Sequence, residues 1–196
     1  MKRTVPDRLT PNIEKIIASV SYVIAEAQRR GETCTQYDIV KSLFLADKRH
    51  LNKFGRPITF DNYVAMKDGP VPSLSYNFIK EDKSTLSRHN VRLPWARTPT
   101  PKLGTRVYTY TITGAENLDA LAESDIEELN SALTVVKSLG FSQVRRLTHE
   151  EPGYIKARKH RGSSENPPMD YSLLFEQPDF DPREKAAELA FFSKHS

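Results

Sequence analysis

The chain has 196 residues, 38% hydrophobic and 28% charged, with a net charge of +4, which suits one domain of about 150 residues plus an appendage. No run of about 18 apolar residues predicts a membrane span, and the basic start Met1-Lys2-Arg3 is not followed by the apolar stretch of a secretory signal. Cys34 is the one cysteine, which excludes an internal disulfide and fits a reducing cytoplasm.

In chain order, residues 11–30 place Ile13, Ile16, Ile17, Val20, Val23, Ile24 and Ala27 on one helical stripe, with Gly31 as its stop. Thr33 and Thr35 each offer a capping hydroxyl for a second helix that runs to about residue 52 and buries Ile39, Val40, Leu43, Phe44 and Leu51. Lys48, Arg49 and His50 in its last turns complement the negative end of the helix dipole. Next comes FGRPITFDNYVAMKDGPVPS, residues 54–73. Two turn signals, Gly55-Arg56-Pro57 and Asp68-Gly69-Pro70-Val71-Pro72, enclose six residues that read as a strand. The glycines are too far apart to cradle a phosphate, whereas each proline fixes φ near about −65° and holds the residue before it extended. The stretch therefore predicts a scaffold element that delivers the chain at one angle into a short helix. That helix starts at Pro72 or Ser73, with Leu74, Phe78 and Ile79 inward and Val71 stapled over it.

Residues 90–95 and 105–113 read as strands, the second alternating Tyr108, Tyr110 and Ile112 with Val107, Thr109 and Thr111. Ser124-Asp125-Ile126-Glu127 reads as a capping box. It opens a helix with Ile126, Leu129, Leu133, Val136 and Leu139 inward, which Gly140 ends, and a shorter helix follows over residues 142–150. Residues 162–181 are rich in Ser, Asn, Pro and acid, and predict a poorly structured linker. Asp181-Pro182-Arg183-Glu184 then opens a terminal helix through residue 192, with Ala186, Leu189, Ala190 and Phe192 available for docking.

Candidate chemistry is sparse. No two of His50, His89, His149, His160 and His195 stand three to five residues apart, so no metal site is expected, and no phosphate-binding glycine loop or cofactor motif is present. Cys34 has no base near it in sequence. Asp47 and His50, three apart on one helix, read either as an acid–base pair or as a local anchor for the next loop. His149-Glu150-Glu151 reads either as reactive or as a helix end before Pro152. Charge is uneven: 17 Lys and Arg face 10 Asp and Glu in residues 1–100, against 12 and 15 in residues 101–196. A basic front half suits a phosphate backbone, an acidic protein or simply a solvated helical surface. The order of helices and strands matches a winged-helix pattern, with residues 96–104 as the wing and Arg97, Lys102 and Arg106 near phosphates. The helix after Pro72 is less basic than a recognition helix, because Lys80 and Lys83 are offset by Glu81 and Asp82.

KSLFLADKRHLNKFGRPITFDNYVAMKDGPVPS, residues 41–73, resembles the signature of the Panacea domain, the SocA-like antitoxin family. Leu45, Ala46, Asp47, His50, Gly55, Pro57, Ile58, Tyr63, Ala65, Met66, Gly69, Pro70, Val71 and Pro72 carry the resemblance. Residues 123–158 add a weaker match, in which Tyr154 stands where many members have Trp, so the resemblance covers roughly residues 13–158. It implies an α+β, mainly helical fold of five to six helices with a small antiparallel sheet. It divides the chain into a Panacea-like domain over residues 1–160 and a linker with a C-terminal helix over residues 161–196. It also implies a non-enzymatic antitoxin of a bacterial, phage or prophage system that binds a cognate protein toxin encoded beside it. A protease adaptor that delivers the toxin for degradation, and a DNA-binding regulator, are the other readings. Toxin-specific contacts then belong outside the shared scaffold, so Tyr171, Leu173, Leu174, Phe175, Phe180, Leu189, Phe191 and Phe192 are the expected toxin-binding residues. The competing expectation is that this terminal helix docks back onto its own domain.

Overall fold

The computed structural model describes residues 8–102, 105–115, 117–176 and 178–194. It is α+β and mainly helical. Helix α1, Ile13–Arg29, is capped by Asn12, whose Oδ1 accepts the Lys15 N–H at 3.0 Å. Strand β1, Cys34–Thr35, leads into helix α2, Gln36–Phe54. Thr35 and Asp38 form a reciprocal capping box there: Thr35 Oγ1 accepts the Asp38 N–H at 3.2 Å, and Asp38 Oδ2 accepts the Thr35 N–H at 2.8 Å.

The motif region then folds into a hairpin, β2 over Tyr63–Met66 and β3 over Gly69–Pro72. The residues that read as an exit turn are thus a strand in their own right, with Tyr63 opposite Pro72 and Ala65 opposite Pro70. Two prolines are tolerated because β3 is an edge strand whose ladder uses few of its own N–H groups. All four β3 residues are buried. Helix α3, Ser73–Ile79, begins where the sequence predicts. A further short helix, α4 over Lys83–His89, is capped by Asp82.

Strands β4, Trp95–Lys102, and β5, Thr105–Ile112, form a long ribbon that joins β1 in the order β1-β5-β4. Residues 96–102 therefore belong to a strand rather than to an irregular wing. Thr98 and Thr100 alternate in register opposite Thr109 and Val107, and Pro99 and Pro101 are accommodated on an edge. Helix α5, Glu123–His149, has its N-cap at Ala122, two residues ahead of the expected cap Ser124, and bends at Gly140, whose φ of 69° and ψ of 177° are not helical. Asp125 sits in its first turn and accepts the Ala122 N–H at 3.0 Å, which is half a capping box. The largest helix packing is α2 against α5, around Leu43, Phe44, Leu129, Leu133, Val136 and Val144.

Helix α6, Pro152–Lys159, follows. The segment after it is no loose linker in the structure. Ala65 N–H donates to Pro167 O at 2.9 Å and Met169 N–H to Tyr63 O at 2.8 Å, which lays residues 167–169 along the free edge of β2. Composition hides this, because the segment's order comes from a pre-built strand edge and from two or three apolar residues that enter the core. Tyr171 and Leu174 are buried, as are Ala186, Leu189 and Ala190 of the last helix, α7 over Pro182–Phe192. Among the described residues, no helix is long and apolar enough to cross a membrane.

Candidate binding site

The residues that make the motif recognisable are structural in their bonding. Asp47 lies in the core, where its carboxylate accepts N–H bonds from Ile58 at 2.8 Å and Thr59 at 3.0 Å. It also accepts the hydroxyls of Thr59 and of Tyr63, the latter at 2.8 Å. Burial raises its pKa, and these bonds only partly offset that. The carboxylate thereby ties the loop after α2, with Pro57 and Ile58, to β2. A second buried carboxylate, Asp61, does the same for α3. It accepts the Leu74 and Ser75 N–H groups at 3.0 and 2.7 Å and the Ser75 hydroxyl at 2.7 Å, capping from a distance a helix whose own N-cap, Pro72, has no side chain to offer. Its carboxyl is pushed up to about 6 by burial, against those same bonds.

His50 does not bond to Asp47. Its Nδ1–H donates to Arg56 O at 2.8 Å, and its Nε2 lies 3.0 Å from Asp125 Oδ1 and 3.1 Å from Ser124 Oγ. Asp125 is buried and also pairs with Lys15 and with Arg56 at 3.1 Å. Burial alone would raise its pKa. The bonds from His50, Lys15 and the Ala122 N–H outweigh that and hold the carboxyl well below the usual carboxylate range. The pair that read as acid and base is thus two separate anchors, one to the β2 loop and one to the start of α5. His149 stacks on Tyr154 at 4.5 Å, and its pKa is lowered by burial, then by Arg145 and Lys41. Glu151 pairs with Lys48 at 2.8 Å. The Cys34 thiol is buried and pushed up to about 12, first by burial and then by Asp38, so it carries no thiolate at neutral pH.

Gly69 shows why the motif admits no side chain there. Its φ is 107°, and a Cβ would lie 2.6 Å from both Lys41 Nζ and Thr148 Oγ1. Lys41 is only 1% exposed and donates to Pro70 O at 2.9 Å. Sequence reasoning passed over Lys41, Asp61 and the buried role of Asp125. The available signal for Lys41 was a cation beside Tyr37, Val40 and Phe44 on the stripe that α2 buries.

The C-terminal residues separate into two sets. Tyr171, Leu174 and Leu189 are buried, and Leu173 and Phe175 are half-buried. Phe180, Phe191 and Phe192 are exposed by 45%, 60% and 54%, the first just before α7 and the others at its end. The segment is anchored by Asn52, which donates to Leu174 O at 2.9 Å and accepts the Glu176 N–H at 2.6 Å, and by Lys48–Glu176 at 2.5 Å. Thr10 N–H donates to Ser193 Oγ at 2.8 Å at the far end of α7. The helix therefore docks on its own domain by one face and presents phenylalanines at both ends. In the ribbon, Arg97 sits 3.4 Å over the Tyr108 ring and donates to Lys80 O at 3.2 Å, so its guanidinium is held against the fold. The side chains of Lys102 and Arg106 lie outside the described residues. Among the described residues, no group of three metal-ligating side chains comes together.

The family model described as antitoxin SocA-like, Panacea domain, matches residues 39–154. No curated protein gives a significant match, and no solved structure does.

Proposed function

We propose, from the premise that this chain belongs to the family of SocA-like antitoxins with a Panacea domain, that it neutralises a cognate protein toxin by binding it directly. The observation that carries this reading is the use of the motif. Asp47, His50, Asp61 and Asp125 are buried and committed to bonds that join elements of the fold. A shared scaffold of this kind leaves specificity to the surface, and the exposed Phe180, Phe191 and Phe192 are the apolar contacts that the C-terminal segment offers there. Tyr171, Leu173, Leu174, Phe175 and Leu189 then serve the toxin contact indirectly, by holding that surface in place.

The experiment is growth rescue in cells expressing the product of the adjacent gene. Wild-type chain restores growth. Replacing Phe180, Phe191 and Phe192 together by Ser leaves the fold intact and weakens the complex by about 2–4 kcal/mol, abolishing rescue. Full rescue by the triple variant removes this surface from the account. Rescue that disappears in a protease-deficient host, while the complex still forms, identifies an adaptor rather than a direct inhibitor.

A further inference from the structure

A cleft of about 700 Å³ opens between the N-terminal half of α2, the β2–β3 turn and β5. That volume lies within the roughly 300–1,000 Å³ range of ligand sites. Lys41 lines it, and Tyr37, Tyr76, Tyr108 and Phe141 form its aromatic walls. The bend at Gly140 places Phe141 at the rim, where it is 52% exposed and its ring centroid lies 4.6 Å from that of Tyr37.

The ammonium of Lys41 is the unusual feature. It carries three donors. Among the described residues it makes one hydrogen bond, to Pro70 O, and the ring of Tyr37 lies 5.4 Å from Nζ. Among the described residues no carboxylate lies within ion-pairing distance of it. The acidic group of the adjoining turn, Asp68, bonds instead to Arg145 at 3.1 Å. A buried amine with unused donors at the wall of a cleft either gives up its proton or keeps it with an anion that completes the site. Lys67, Arg158 and Arg161 line the cleft as well as Asp68 and Glu165, so its lining carries a net positive charge that suits an anion, and the aromatic walls suit one borne on an apolar body.

We infer that this cleft receives a carboxylate borne on an apolar or aromatic body, with Lys41 as its counter-charge, and that a bound protein partner supplies it as an Asp or Glu side chain beside an aromatic residue. The second half rests on the antitoxin reading. The cleft opens to solvent, and Lys41 is itself only 1% exposed, so the carboxylate must enter the cleft to meet it.

The test has two arms. The first uses a capped Glu-Phe dipeptide and its Gln-Phe counterpart as probes, observing the lysine side-chain NMR signals of the full chain. The Glu probe binds wild type and shifts the Lys41 signal, and it binds Lys41→Met about ten- to a hundredfold more weakly, whereas the Gln probe is weak on both. Phe141→Ser, at an exposed position, also weakens the Glu probe. Lys41→Met removes a buried charge without changing volume much, so its unfolding midpoint stays at or above that of wild type. Should that variant fail to fold, the Glu-against-Gln comparison on wild type still decides. Equal binding of the two probes, or full affinity of a folded Lys41→Met, overturns the site.

The second arm measures the complex with the adjacent-gene product. A tenfold or greater loss with Lys41→Met is expected, by the same conversion. An unchanged complex overturns the partner as the source of the carboxylate. A wild-type chain that forms no complex refutes the antitoxin reading, and the probe arm then still judges the cleft.

Discussion

Gly69 and Asp125 are single residues on which separate joints of the fold depend. At Gly69 a methyl group would collide with Lys41 and Thr148, and a φ of 107° strains any L side chain. Gly69→Ala is expected to cost about 2–4 kcal/mol, read from urea unfolding at constant slope. At Asp125 the folded-state pKa is depressed. Its stabilisation is therefore complete above the unfolded carboxylate value and is lost as pH falls through the lower folded value. Asp125→Asn should cost about 3 kcal/mol near pH 7, and its stability curve should converge on that of wild type as pH drops below about 4. Lys41 has the opposite sign. Burial lowers its pKa from 10.5 to about 7, with Asp68 opposing that and Arg145 adding to it. The unfolded chain keeps that proton to higher pH than the folded one. Wild-type stability should therefore gain a rising component between about pH 7 and 10 that Lys41→Met lacks, measurable by comparing the two unfolding curves. Of these three residues, Gly69 was legible in sequence because a turn signal marks it. Asp125 was legible as a helix-cap residue only. Its partners Lys15, His50 and Arg56 come from distant positions that no local pattern connects.

At the scale of elements, periodicity located α1, α2 and α7 well, because each pairs an apolar stripe with a cap readable within four residues, while α3 was placed by the prolines before it. Gly140 was legible as a break for the same reason. The ribbon and the C-terminal segment were not. Residues 96–102 become a strand because β5 provides a partner, and residues 167–169 are ordered by the free edge of β2. Both are tertiary gains that outweigh unfavourable proline content. Deleting residues 163–196 uncovers β2 and removes Tyr171, Leu174 and Leu189 from the core. This should cost on the order of 5 kcal/mol, seen as a large fall in the thermal midpoint. A truncated chain as stable as the full one would show that the segment is only loosely applied. Point substitutions at Phe180, Phe191 and Phe192, which leave the docking face of α7 untouched, are the sharper probe of binding.

At the scale of the molecule, the family motif builds the scaffold, and the proposed toxin contacts lie beyond it. Residues 39–154, which match the family, hold α2, the β2–β3 hairpin, α3, the ribbon and α5 in one arrangement. The segment beyond them wraps that scaffold and offers phenylalanines outward. The family was legible because a dense turn-and-proline signature is hard to produce by chance. The proposed toxin-binding surface was only partly so, because exposure depends on which face of α7 docks. The most direct measurement is a calorimetric titration of the full chain with the purified product of the adjacent gene, at about 0.5 M salt, where exposed charges are largely screened. A stable complex that survives the salt, and that is lost when Phe180, Phe191 and Phe192 become Ser, is the result predicted. A wild-type chain that forms no complex, or a complex indifferent to those three residues, would contradict it.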